Sequence, residues 1–450
     1  MIRGIYFISF LLVASLSLYA NKPDFNIIDY NIKAEFDDIN NLLKVNLQMK
    51  VNNLSDHNLD LMFTHFAKIE SLYLQAGKKR SNITWNSLSK DSIRLTLPVN
   101  IDFLKQQTIV FNYSIRLDSV SDSKSFVYSL TRPGKWYPLQ YNDLSTHAIT
   151  ITVPSQFSSL STGNLLSKKE KNKRTIYSWN DPYNFTCPLF IFKSDSLKLI
   201  TKSAGNTKTN FFFYTQDTLV QNNYMNIVCG SFQYFNNFFG GDYPYNTYSF
   251  IEIPDDPAGS ATGSLQVFGT ALISDFYVYG KLYSLKPAAH EVAHEWWGIG
   301  GIHYKDKTND KGLQFLRESV NEYLAFMFLE HYWGADSLAK CLDMAKAYYK
   351  EYVNDTNERT LLEIPQQFTT WEEAVVVYYK GPLIVHELRK MLGDENWDAF
   401  IKQFYSSYKN KYATYGDFIK TLSLYDKSGK ITNTLNNYLI TKGFQETKRN

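Results

Sequence analysis

The stretch HEVAHEWWG, residues 290–298, sets His290 and His294 four apart with Glu291 directly after the first histidine. On a helix, residues four apart stack on one face, so both imidazoles can reach one tetrahedral metal ion. Glu291 then lies beside that ion instead of on it, where it can take a proton from water whose acidity zinc has raised. The bland alternative is a pair of histidines on a helix surface. A third ligand decides between the two, because a catalytic zinc takes three protein ligands and keeps one position open.

Downstream, LQFLRESVNEYLAF has a helical period and carries Glu318 in its first turns. Glu318 is the favoured third ligand. Its competitors are His303 and Asp306, both in the polar tract GIHYKDKTNDKG. Glu322 lies one turn past Glu318, where it can accept from the far nitrogen of a ligand imidazole or simply face solvent. The set implies one zinc ion per chain.

These residues need elements to hold them. Up to about residue 200 the hydrophobic period is two: KVNLQMKV, SIRLTLPV, TIVFNYSIRL and AITITVP alternate as strands with one buried face. No catalytic cluster appears there. The tract TKSAGNTKTN, 201–210, reads as a polar linker. Beyond it the spacing predicts helices at 217–238, 285–299, 313–332, 335–353, 371–392, 394–409 and 432–442, interrupted by strand-like TYSFIEIP and GSLQVFGTALIS. The expected architecture is a β-rich domain over 21–203 followed by a mainly helical α+β domain with a small sheet over 204–450.

A net charge of +3 over 450 residues points to no nucleic-acid partner. Cys187, Cys229 and Cys341 stand far apart, so they read as small buried hydrophobes and not as a disulfide framework. The N-terminus MIRGIYFISFLLVASLSLYA has the form of a secretory signal peptide cleaved after Ala20. Its apolar run is short for a spanning helix, and no other segment is apolar enough to span. The mature chain is therefore expected outside the cytoplasm, periplasmic or secreted.

At this point the chain resembles the M1 family of zinc aminopeptidases, gluzincins related to leukotriene A4 hydrolase and aminopeptidase N. HEVAHEWWG is similar to the family's HExxHxWxG signature, and LRESVNEY to its second ligand helix with Glu318 at the glutamate. VYYKGPLIVHELRKMLG resembles the Y-x-K-G segment, which puts the catalytic tyrosine on Tyr378, next to Tyr379. YPYNTYSFIEIPD resembles the strand leading into the substrate-binding sequence. The resemblance implies a thermolysin-like catalytic domain behind an N-terminal β domain, without the helical C-terminal domain of large members. Two departures stand out. The interval from His294 to Glu318 is longer than usual, which a surface loop absorbs at small cost. The family's G-x-M-E-N sequence falls on GSLQV, with Gly263 at its glycine and Gln266 where a glutamate holds the substrate's amine. A neutral amide cannot balance a buried ammonium.

The expected function is metal-assisted hydrolysis of a peptide or protein substrate, with Glu291 as base and Tyr378 stabilising the oxyanion. Recognition of a free amine is not implied by Gln266. A zinc hydrolase of another substrate class and a secreted binding or scaffold protein on the same fold are the alternatives.

Overall fold

The computed structural model describes residues 26–446, apart from 53, 55, 100, 102–104, 124, 141–143, 185, 242, 255–259, 263, 270–272, 274–279, 299, 305–310 and 367. The leader expected over 1–20, Gly263 and Asp306 therefore lie outside the described residues.

The first half is built of strands. Eight form one sheet in the spatial order Asn164–Lys171, Arg174–Asn184, Ser145–Pro154, Asn26–Asp37, Leu42–Asn52, Gln107–Arg116, Lys68–Ala76 and Lys79–Asn82. Only the pair Asn26–Asp37 and Ser145–Pro154 runs parallel in it. The period-two reading holds in detail. Val45, Leu47, Met49 and Val51 are buried, and they lie opposite Tyr113, Phe111, Ile109 and Gln107 of the neighbouring strand. Two three-stranded sheets complete this half.

The second half starts from a five-stranded sheet in the order Lys198–Ala204, Thr207–Phe213, Thr247–Ile253, Leu265–Gly269, Ser260–Thr262. The tract read as a linker is its first hairpin, turning at Gly205 with φ +60°. Its polar look is that of a half-wet ribbon: Ala204, Thr207 and Thr209 line its buried face, and Phe211 and Phe213 carry that face on into the core. Both faces of the middle strand are covered, so its residues from Phe250 to Ile253 are all buried. Phe250 joins Phe211 and Phe213 under the helices. Ile251 and Ile253, with Leu265 and Val267 of the next strand, pack on Val127, Phe190 and Phe192 of the first half. The small sheet is thus the layer between the two halves.

Helices α1 (Thr218–Phe238) and α2 (Lys281–Ala293) lie against its inner face, and α3 (Val320–Trp333), α4 (Ala335–Tyr352) and α5 (Gly381–Leu392) pack behind them. Asp217 caps α1 by accepting from the amides of Leu219 and Val220. Helix α2 starts earlier and stops sooner than its sequence period suggests. Gly298, at φ +93°, turns the chain away just past His294. Two predicted helices are interrupted by π turns, Phe315–Ser319 before α3 and Val376–Lys380 before α5. One helix, Tyr415–Leu422, was not expected from the periodicity and opens with a capping box of Thr414 and Asp417. The three cysteines are free thiols, Cys229 only half-buried. No helix among the described residues is long and apolar enough to cross a membrane.

One buried group makes this fold acid-sensitive. His147 is fully buried and stacks on Tyr30 at 5.0 Å between ring centroids, and neither ring nitrogen has a hydrogen-bond partner among the described residues. Burial pushes its pKa down to about 4, against the pull of Asp181 and Asp29. The unfolded chain titrates near 6.5, so between these values the unfolded state binds the extra proton and stability falls as the pH drops. The loss from this one residue is on the order of 3 kcal/mol by the time the lower value is reached. His147→Phe keeps the ring stack and removes the titration. Urea unfolding at pH 7 and pH 4.5 should show a smaller separation of midpoints in the variant; equal separations would place the acid sensitivity elsewhere.

Candidate metal centre

His290, His294 and Glu318 each bring one ligand atom to a common point, and these atoms all lie within 4.8 Å of one another. The Nε2 atoms of His290 and His294 are 3.4 and 3.3 Å from the same oxygen, Glu318 Oε2. All three side chains are buried. His303 is not part of this group. It is buried 2% exposed in a short parallel strand, Ile302–Tyr304, packed near Tyr412.

The far nitrogens settle how the imidazoles point. His290 Nδ1 is 2.7 Å from Glu322 Oε2, and His294 Nδ1 is 2.9 Å from the carbonyl of Trp297. A carboxylate and a carbonyl only accept, so each Nδ1 donates and each Nε2 turns its other valence toward Glu318. Two imidazole nitrogens and a carboxylate oxygen facing one another demand positive charge. Burial disfavours a charged His290, yet Glu318 and Glu322 outweigh it and hold its pKa up at about 10. A proton supplies the charge when a metal does not. The donor set and its geometry fit a zinc ion.

Each partner of this cluster has a local cause. Helix α2 presents Lys286, His290 and His294 on one face, and Lys286 ion-pairs with Glu322. Burial works against the Glu322 carboxylate, but Lys286 and His290 hold its pKa at about 2. Asn321 donates to the carbonyl of His290 at 2.8 Å, tying α3 to α2. Arg317 Nε donates to Glu318 Oε1 at 2.8 Å, leaving Oε2 for the imidazoles. Trp297 accepts from His294 and donates its indole N–H to Leu316 at 2.7 Å, so it spans from the metal helix to the turn bearing Glu318. Gly298 has no alternative, since a Cβ there would sit 2.9 Å from Arg317 and at a positive φ.

The two π turns meet at the site. Ser319 Oγ donates to the carbonyl of Val377 at 2.7 Å, and the Tyr378 hydroxyl donates to Glu318 Oε2 at 3.1 Å. Tyr379 points elsewhere and stacks on Tyr348, with 4.8 Å between centroids. Burial and the Glu318 charge push the Tyr378 phenol well up, so it is a proton donor at neutral pH. Glu291 is partly exposed, and burial raises its carboxyl above the ordinary value against the pull of both histidines.

Gln266 is placed differently from an amine-binding group. It is fully buried; its Oε1 accepts from Tyr248 at 2.9 Å, and its Nε2 donates to the carbonyl of Ala288 at 3.1 Å. The residue before the strand, Ser264, is held by Glu295, which also takes the Tyr243 hydroxyl. Lys286, Arg317 and Glu295 went unnoticed in the sequence. Lys286 was findable, because it lies one turn before His290 on the same face.

Close approach of the π turns rests on Gly381, where a Cβ would fall 2.0 Å from Ser319 Oγ. Gly381→Ala should therefore cost about 1–3 kcal/mol, as overpacking does, and displace Tyr378 from Glu318. Adding Ser319→Gly should restore part of the stability. Thermal melts of the single and double variants check this; no recovery in the double variant would mean the contact is not what limits packing.

The peptidase family M1 domain model matches residues 223–439. Aminopeptidase N of Lactococcus lactis subsp. lactis is 22% identical over 232 residues, which are 49% of this chain and 26% of that protein. Aminopeptidase N of Lactococcus lactis subsp. cremoris is 24% identical over 192 residues, 41% of this chain and 22% of that protein. The chain thus spans about a quarter of the length of these curated relatives. In fold it is similar to the M1 zinc metallopeptidase of Deinococcus radiodurans, with a TM-score of 0.70 at 13% identity, covering 95% of this chain and 96% of that one. A mutant of that enzyme bound to a Tyr-Ser-Ala substrate gives a TM-score of 0.70 at 14% identity, over 94% and 95% of the two chains. The N-terminal β half followed by a helical half is the arrangement of these neighbours. The helical half of the chain thus matches the peptidase family M1 domain, and the two-part fold of the whole is the one shared with the M1 zinc metallopeptidase neighbours.

Proposed function

We propose that the protein is a zinc-dependent peptide hydrolase. The observation that carries this is the meeting of His290, His294 and Glu318 around one point, with both imidazoles oriented through their far nitrogens. His290, His294 and Glu318 would hold the metal, one ion per chain. Zinc, when bound, supplies Lewis acidity for activating water and polarising the scissile carbonyl. Glu291 accepts the proton of the attacking water, a role its raised pKa suits. The Tyr378 hydroxyl, which touches Glu318 in the resting site, donates to the oxyanion as charge develops there. The two histidines, with Arg317 behind them, keep Glu318 ionised, and Lys286 with His290 does so for Glu322. The Tyr-Ser-Ala substrate of the Deinococcus radiodurans neighbour supports short peptides as a substrate class.

The burial of Gln266 argues against free-amine recognition by that side chain. Both ends of its amide are taken up inside the protein. A glutamate there would set a carboxylate oxygen against the Ala288 carbonyl. Gln266→Glu should destabilise the fold by about 1–3 kcal/mol and bring no selective gain on peptides with a free N-terminus. A variant that melts like wild type and gains activity on free peptides but not on acetylated ones would overturn this.

The chemistry is tested by turnover of a mixed peptide library followed by mass spectrometry. Chelator should abolish cleavage and zinc restore it. Glu291→Gln should retain metal but lose all but about a thousandth of kcat, since the base is gone and the ligands are not. Tyr378→Phe should lower kcat by about a hundredfold or more with KM nearly unchanged. Full kcat in Glu291→Gln would refute the assignment of the base.

A further inference from the structure

Lys286 touches neither the metal point nor the cleft chemistry, yet it is tied to both by one short chain of contacts. It ion-pairs with Glu322 Oε1, while Glu322 Oε2 accepts from His290 Nδ1, and His290 Nε2 faces the metal point. The pair is deeply placed, with side-chain exposures of 13% for Lys286 and 2% for Glu322. Lys286 also lies 5.9 Å from the Phe326 ring centroid, so its tip is held between a carboxylate and an aromatic face. A lone carboxylate behind a ligand histidine makes the imidazole a stronger donor. A carboxylate already claimed by an ammonium does so less, because its charge is shared between two hydrogen-bond donors.

We propose that Lys286 is a positioning residue that lowers zinc affinity, by drawing the charge of Glu322 away from His290 and leaving the metal with weaker donors. This rests on the zinc reading above. On the opposite view Lys286 merely holds Glu322 in place, and the two views differ in sign. If Lys286 weakens the donor, its removal leaves the buried Glu322 leaning on His290, and the doubly charged ion compensates that carboxylate better than the metal-free site does. Zinc then binds more tightly. If Lys286 only holds Glu322, its removal lets the carboxylate drift and zinc binds more weakly.

The test is zinc affinity by chelator competition, with thermal melts with and without zinc, on the full chain. For Lys286→Met the dissociation constant should fall about tenfold, the lower end of what such supporting contacts contribute. Its metal-free melting point should drop, and its zinc-induced rise should exceed that of wild type. Lys286→Arg keeps the charge and should bind zinc within about twofold of wild type. Lys286→Gln, which retains a donor to Glu322, should shift in the same direction as Lys286→Met but less, and serves if the methionine variant does not fold. Glu322→Gln should weaken zinc by about 10–100-fold. Unchanged or weaker zinc binding in both Lys286→Met and Lys286→Gln overturns the proposal and leaves the metal reading standing. Failure of the wild type to bind zinc removes the metal reading itself.

Discussion

One oxygen atom organises the second half of this protein. Glu318 Oε2 receives His290, His294 and Tyr378, three side chains from two different helices. A carboxylate is costly to bury unless it is paired, so this convergence is tolerable only where every neighbour offers positive charge or a donor. Arg317 takes the other oxygen, and the metal point takes the first. The same requirement passes outward. His290 needs Glu322, and Glu322 needs Lys286. Charges of alternating sign thus run from the centre to the edge of helix α2.

Holding three elements on one atom needs more than electrostatics. The turns bearing Glu318 and Tyr378 are both π-helical, a geometry that widens the helix by one residue and is found mostly at functional sites. They lean on each other through Ser319 and Val377. Behind the second turn, the fully buried Lys380 donates to Glu358 at 2.6 Å and to the carbonyl of Thr441 at 2.7 Å, while Glu358 accepts from Gly443. The segment after the last helix is thereby fastened to the turn that aims Tyr378. Breaking such a buried pair costs about 3–5 kcal/mol, so the site and the far end of the fold share their stability.

The cluster of two histidines and a carboxylate was legible because its signal is local. His290, Glu291 and His294 fall about one helical turn apart, and Glu318 with Glu322 falls on the next helical segment, one turn apart. The period-two strands were legible for the same reason. The π turns were not, since one inserted residue barely disturbs a helical hydrophobic period. The hairpin at 198–213 was hidden by its exposed polar face, and only its last phenylalanines show that it is packed. Gln266 shows the opposite failing. Its position in the sequence suggested the substrate cleft, but side-chain direction depends on register, which put it beside Phe250 on the core face. Tyr248 and Ala288 then satisfy it.

The central claim is that two histidines and one carboxylate form a zinc site. Zinc K-edge absorption of the protein loaded with one equivalent of metal reads that ligand set directly. The account predicts one tightly held zinc per chain, with two imidazoles and a carboxylate oxygen in its first shell at ordinary zinc distances, roughly 2.0–2.2 Å. The Glu318→Ala protein should lose most of the metal. A shell containing a third imidazole, or full zinc retention without Glu318, would contradict it.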